Sequence, residues 1–296
     1  MPAAPGPCRE AWRPAPSGSV RLMGGFLRVL DVAAADVRLH ADSFDRLREG
    51  ALGAVVVQGV MSQGEIDALL GAVEHAQPPL PRSSFPGPFR SGFIGRNLNL
   101  MHPSLEGYFE EAARFNAQLA ALPPSPEGLV ARVSGVLSAL DHGAQFEAPP
   151  GPVPGQHYMF TTLREHRPGG FIPPHFDNEM RLRPAYRHLS TLVAQDLLSF
   201  VLALSCAEAG GALEVFDLHC TAAKARLLSD DHAPGPPPTA DSASVSFRLP
   251  PGSMIVVDSG RLLHQVTPVQ GETARRTVCS FMARSLAGDG VNHCWG

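Results

Sequence analysis

The sequence contains no apolar run approaching the ~18 residues of a membrane span, so no helix of that kind is expected. It also lacks blocks of basic residues. Its 24 lysines and arginines are scattered and outnumbered by 28 acids, for a formal net charge of -4, which leaves no electrostatic footprint for nucleic acid or an anionic membrane. The cysteines, Cys8, Cys206, Cys220, Cys279 and Cys294, are odd in number, widely spaced and without C-x-x-C. That excludes a disulfide framework and a structural zinc knuckle, and it fits a reducing cytoplasm. The opening "MPAAPGPCREAWRPAPSGSV" has no apolar h-region and is not a signal peptide. Its proline and alanine content predicts a disordered leader over residues 1–22, with Met23 an alternative start, followed by a single domain over 23–296. No internal repeat is present. What remains is small-molecule chemistry in a chain of 296 residues, 44% hydrophobic, enough for a sizeable core.

Residues 24–150 read as a mainly helical support layer around one short strand. "LGAVVVQGV", Leu52 to Val60, is a β-branched run bounded by glycine. Ser62 and Glu65 then form a capping box ahead of Ile66, Leu69, Leu70 and Val73, which share a helical face ending near Pro78. Further helices are predicted over Leu105–Leu122 and Gly128–Leu140. The Pro- and Gly-dense "PPLPRSSFPGPFRSGFIGRN" between them is expected to be loop.

From Gly155 the pattern changes to short β-type runs with no amphipathic helix between them. They begin at "HYMFTTLRE", "LLSFVLALS", "GALEVFDLH", "ASVSFRLP", "GSMIVVDSG", "LHQVTPV" and "RRTVCSFMARS". This predicts an α+β protein whose core, over about 155–285, is an antiparallel double-sheet jelly roll of cupin type. The tract Asp230–Ser242 reads as a Pro-rich excursion between strands.

In "GGFIPPHFDNEM", His175 and Asp177 stand two apart, so on an extended chain they project to the same side. His264, in "DSGRLLHQVTPV", supplies a second imidazole. Two histidines and one carboxylate are the facial set that leaves positions on Fe(II) open. On the following strand Arg275 and Thr277 share a face, so a guanidinium fork and a hydroxyl can grip one end of a dicarboxylate, in the manner of a 2-oxoglutarate clamp.

On "HFD", "GGALEVFD", "PGSMIVVDSGRLLHQVTPV" and "RRT", the chain resembles the Fe(II)/2-oxoglutarate-dependent oxygenases over roughly its C-terminal half. The resemblance implies a double-stranded β-helix in which His175, Asp177 and His264 hold Fe(II), while Arg275 and Thr277 hold 2-oxoglutarate. With O2 as the other co-substrate, a small molecule such as a free amino acid or natural-product intermediate would be hydroxylated, or desaturated or cyclised. A related branch halogenates, with glycine or alanine replacing the metal-binding carboxylate; Asp177 at that position disfavours halogenation here. The arginine stands one residue later than the commonest spacing, which leaves Arg276 as the alternative clamp. Arg275 is preferred because it shares a face with Thr277.

Other readings remain open on sequence alone. Within the class the alternative is a prolyl-hydroxylase-like action on protein; outside it, a cupin-like metal hydrolase or isomerase using the same ligands, or a metabolite sensor. His157, His166, His188, His219 and His293 show no competing ligand spacing and read as surface or packing residues. Asn178, Glu179 and Arg181 are candidate substrate contacts, Thr161 and Thr162 candidate co-substrate contacts, and Asp258 and Arg261 a pair across the turn before His264. Oligomeric state and substrate identity leave no mark in the sequence.

Overall fold

The computed structural model describes residues 8–85, 89–98, 105–124, 127–178, 184–220, 239 and 241–296. In chain order the N-terminal half contains β1 (Arg9–Ala11), β2 (Ser19–Met23), β3 (Leu27–Ala33), α1 (Ser43–Arg48), β4 (Ala54–Gln58) and α2 (Gln63–Glu74). These are followed by β5 (Arg82–Ser84), β6 (Ser91–Ile94), α3 (Tyr108–Ala120), α4 (Leu129–Leu140) and β7 (Gln145–Glu147). Next come β8 (Thr162–His166), β9 (Ile172–His175), β10 (Leu198–Ser205), β11 (Ala209–Gly210), β12 (Leu213–His219) and β13 (Ser244–Phe247). The last are β14 (Met254–Val257), β15 (Leu262–Val266), β16 (Val269–Gln270), β17 (Arg275–Arg284) and β18 (Val291–Trp295). No described helix is long and apolar enough to cross a membrane.

The fold is mixed α+β with two large sheets. The larger runs β2-β3-β4-β14-β10-β17-β8-β6-β5, with β18 beside β17 and β7 beside β18; the smaller runs β1-β13-β12-β15-β9. Strand alternation assigns the layers. Ala54 and Val56 of β4, with Ile255 and Val257 of β14, share a core with Leu213, Val245 and Leu262 of the smaller sheet, so the two sheets pack face to face. The intervening Val55, Val57, Met254 and Val256 point the other way, into a second core with Ile66 and Leu69 of α2, Phe115 of α3 and Leu137 of α4. The larger sheet therefore lies between helices and the smaller sheet, buried on both faces. The capping box expected at α2 is formed, with the Ser62 side chain accepting from the Glu65 amide and the Glu65 carboxylate accepting from the Ser62 amide.

Several expectations are corrected. Residues 8–22 are not a disordered leader: β1 pairs in parallel with β13, and β2 pairs with β3. Trp12 is buried against Phe247 and donates from Nε1 to Asp31, itself wholly buried, at 2.9 Å. Residues 1–7 lie outside the described residues, as does nearly all of the Asp230–Ser242 tract. The mainly helical layer was expected to hold one strand, which is present as β4, but it also contributes β3 to the large sheet. The stretch expected to be loop forms the β5–β6 hairpin at the sheet edge, where Phe85 packs against Phe89 and Phe93, and Phe89 against Phe171. An edge tolerates proline and glycine that a central strand would not. The same reasoning covers β9, whose Pro173 and Pro174 conceal a strand at the edge of the smaller sheet.

Candidate active site

β9 and β15 bring the two histidines together. His175 and His264 are directly opposite in the antiparallel register, with ring centroids 4.3 Å apart. Asp177 follows the end of β9, held by its amide donating to the Ser259 carbonyl at 3.1 Å. Its carboxylate oxygens lie 3.4 Å from His175 Nε2 and 3.5 Å from His264 Nε2. One ligand atom from each of the three residues falls within 4.8 Å of the others. Each Nδ1 lies against a main-chain carbonyl, Pro173 at 2.8 Å and Leu262 at 3.1 Å. A carbonyl only accepts, so Nδ1 carries a proton in each ring and Nε2 is the atom turned toward Asp177, free to ligate a cation when the ring is neutral.

The electrostatics match a cation site. Burial alone would raise the Asp177 carboxyl, but the charges of His264 and His175 outweigh it and hold it at about 2. Burial and the neighbouring His175 pull His264 down to about 4. Burial also opposes a proton on His175, yet the Asp177 carboxylate beside it wins and shifts that ring upward. Two imidazoles and a carboxylate with oriented lone pairs fit Fe(II) or another divalent transition metal.

The three residues line a cavity together with Arg164, His166, Arg275, Thr277 and apolar side chains that include Phe200, Val257 and Val266. Arg275 and Thr277 both enter it from β17. Burial lowers the Arg275 guanidinium to about 10, and Thr277 Oγ1 is buried without a hydrogen-bond partner. Gly210 and Gly211, both at positive φ, carry the chain past this point; a side chain on Gly210 would collide with the Pro268 carbonyl, and one on Gly211 would press on Arg275. Arg276 faces the other way and pairs with Glu165 at 2.9 Å.

The remaining expectations divide. Asp258 and Arg261 pair as expected. Thr161 Oγ1 donates to the Cys279 carbonyl at 2.8 Å, whereas Thr162 Oγ1 is buried without a partner. Asn178 donates to Cys220 Sγ at 2.9 Å; Glu179 and Arg181 lie outside the described residues. His166, expected at the surface or in packing, packs inside the protein. It is fully buried, borders the cavity and contacts Ser91 Oγ through Nδ1 at 2.7 Å, while Nε2 has no partner. Burial, then the charges of Arg275 and Arg164, hold it well below its ordinary value and therefore neutral. The missed signal was alternation: Arg164 and His166 stand two apart in "TTLREH" and share a strand face, opposite Thr277 and Arg275.

A family model described as "Carrier-protein-independent halogenase WelO5" matches residues 26–296. The chain belongs to this family. It is thereby a member of the Fe(II)/2-oxoglutarate-dependent oxygenase superfamily. No curated protein matches the sequence. Among solved structures, a novel N-substituted L-amino acid dioxygenase from Burkholderia ambifaria AMMD is 16% identical with a TM-score of 0.56, over 86% of this chain and 91% of that one. The same enzyme in complex with alpha-KG gives 15% identity and a TM-score of 0.57 over the same shares. These likenesses show a shared fold. In this WelO5 family member the position two residues after His175 holds a carboxylate, Asp177.

Proposed function

We propose that the chain is an Fe(II)- and 2-oxoglutarate-dependent oxygenase, built on a double-stranded β-helix, that hydroxylates an unactivated carbon of a small molecule such as a free amino acid or natural-product intermediate. The observation that carries this reading is the pairing of Arg275 with an unpartnered, buried Thr277 hydroxyl in the same cavity as the histidine–aspartate cluster. A hydrolase or isomerase using the three ligands would have no need of that pair.

In this reading His175, Asp177 and His264 hold the metal through two Nε2 atoms and a carboxylate oxygen. Arg275 and Thr277 receive the far carboxylate of 2-oxoglutarate, the guanidinium as a fork and the hydroxyl as a single donor. When bound, Fe(II) with its co-substrates would supply the power to oxidise a C–H bond, 2-oxoglutarate being converted to succinate and carbon dioxide. The main-chain carbonyls of Pro173 and Leu262 keep both imidazoles in the metal-binding tautomer. The apolar wall of Phe200, Val257 and Val266 limits water at the reacting carbon.

Halogenation is the second reading, favoured by the description of the matching family. Halide binding at the metal needs a vacated ligand position, and Asp177 stands in it. The test is to load the protein anaerobically with Fe(II) and add 2-oxoglutarate, looking for a charge-transfer band near about 500 nm. Oxygen is then admitted and succinate measured. The band and succinate release, both lost in Arg275→Ala, are expected; absence of both in the wild type would leave the hydrolase or sensor readings.

A further inference from the structure

Arg164 carries a charge that neither the metal cluster nor the Arg275–Thr277 pair uses. It is opposite Thr277 across β8 and β17, so it leaves the sheet on the same face and enters the same cavity. Its guanidinium lies between two rings, 5.5 Å from the centroid of Phe93 and 5.6 Å from that of Phe281. Rings hold a guanidinium in place without neutralising it. Its neighbour Glu165 points from the opposite face, where Arg167 and Arg276 take it up. No carboxylate among the described residues is paired with Arg164, and its Nε is buried without a hydrogen-bond partner. Arg164 itself is half-buried, but its buried, unsatisfied Nε donor is costly, and an anion arriving there would relieve that cost.

The charge balance indicates which anion. With Fe(II) and 2-oxoglutarate in place, Asp177 and the dianion bring three negative charges against the two of the metal. Arg275 restores neutrality, and Arg164 then leaves one positive charge in excess. His166 adds none, being neutral. The co-substrate is therefore already matched without Arg164.

We propose that Arg164 is a specificity residue that receives a carboxylate of the primary substrate, so that the enzyme takes carboxylic acids in preference to their neutral counterparts. The inference rests on the oxygenase reading of the same site. A guanidinium fork presents parallel N–H donors to a carboxylate, and the two rings fix its plane before the ligand arrives, which reduces the ordering cost of binding. His166 Nε2, two residues along the strand and also unpartnered, is placed to add a polar contact from the same face.

The test is calorimetry on anaerobic, Fe(II)-loaded protein saturated with 2-oxoglutarate. It is titrated with acids and their primary amides in matched pairs: N-acetylphenylalanine, indole-3-acetate and hexanoate against the corresponding amides. In at least one pair the acid is expected to bind about tenfold tighter than the amide, and Arg164→Gln to reduce that preference to about twofold or less. Arg164→Lys, which keeps the charge and loses the fork, should fall between them, and circular dichroism verifies the fold of both variants. The affinity for 2-oxoglutarate, titrated separately, should change by less than about threefold in Arg164→Gln. A loss of about tenfold or more there would assign Arg164 to the co-substrate and overturn the proposal. So would an acid preference that is absent from every pair or unchanged in Arg164→Gln. Failure of the wild type to bind 2-oxoglutarate would overturn the oxygenase reading itself, and the proposal with it.

Discussion

Arg275 and Arg276 are neighbours in the chain and leave β17 on opposite faces. Arg275, 9% exposed, lines the cavity that holds His175, Asp177 and His264, while Arg276 sits at the surface in an ion pair with Glu165. Strand alternation produces this division, and it turns an ambiguity of one residue in the sequence into two distinct chemical environments.

The two arginines should respond differently to truncation. Removing a charged, forked hydrogen-bond donor from a buried carboxylate site costs about 1.5–3 kcal/mol, or roughly 10–100-fold in affinity. Arg275→Ala is expected to weaken 2-oxoglutarate binding by that factor. An exposed pair such as Arg276–Glu165 contributes about 0–1 kcal/mol, so Arg276→Ala should stay within about fivefold of wild type. Anaerobic titration of the Fe(II)-loaded proteins measures both, and equal losses would contradict the assignment.

The site was more legible than the scaffold around it. His175, Asp177, His264, Arg275 and Thr277 could be selected because residue type and two-residue spacing on strands carry the information, and the structure gathers all five around one cavity. β9 was hidden because Pro173 and Pro174 argue against a strand unless it is known to lie at an edge. The β5–β6 hairpin was hidden for a similar reason, since its order comes from Phe89 meeting Phe171 of a distant segment, a tertiary contact that no local pattern encodes. The place of Arg164 and His166 beside the cavity is not legible in the sequence because it is set across the sheet, opposite Thr277 and Arg275.

The N-terminal segment offers a stability test. Asp31 is wholly buried and receives Trp12 Nε1 at 2.9 Å and Arg21 at 2.8 Å. Trp12→Ala removes a buried ring and one donor to that carboxylate, for an expected loss of about 3–5 kcal/mol by denaturant unfolding. A chain beginning at Met23 loses both donors and should be destabilised further. Stability equal to wild type in the shortened chain would restore the reading of these residues as a leader.

His166 gives the pH dependence a sign. Its folded-state pKa lies well below the ordinary 6.5, because burial and then Arg275 and Arg164 penalise the imidazolium. Below about pH 6.5 the unfolded chain binds a proton at this residue that the folded protein refuses, so stability falls as pH drops through that value and below. His264, held at about 4, adds to the same trend in metal-free protein between pH 6.5 and 4. His166→Gln should flatten part of the slope, measured as denaturation midpoints at pH 7.5, 6.5 and 5.5 (roughly spanning the imidazole range). An unchanged slope would mean that His166 is protonated in the folded state.

Asp177 is the residue on which the hydroxylation and halogenation readings of this site make different predictions. Its carboxylate is both a candidate metal ligand and the counter-charge for the imidazoles of His175 and His264. Asp177→Gly removes the ligand and one negative charge, two deficits that a halide ion could make good at the same position. Two imidazoles then remain to hold Fe(II), and metal affinity should fall. The variant is expected to shift its 2-oxoglutarate charge-transfer band when chloride is exchanged for bromide, whereas the wild type, with the position filled, should not respond. A halide-dependent shift in the wild type would show that Asp177 does not occupy the metal, and would turn the argument toward halogenation.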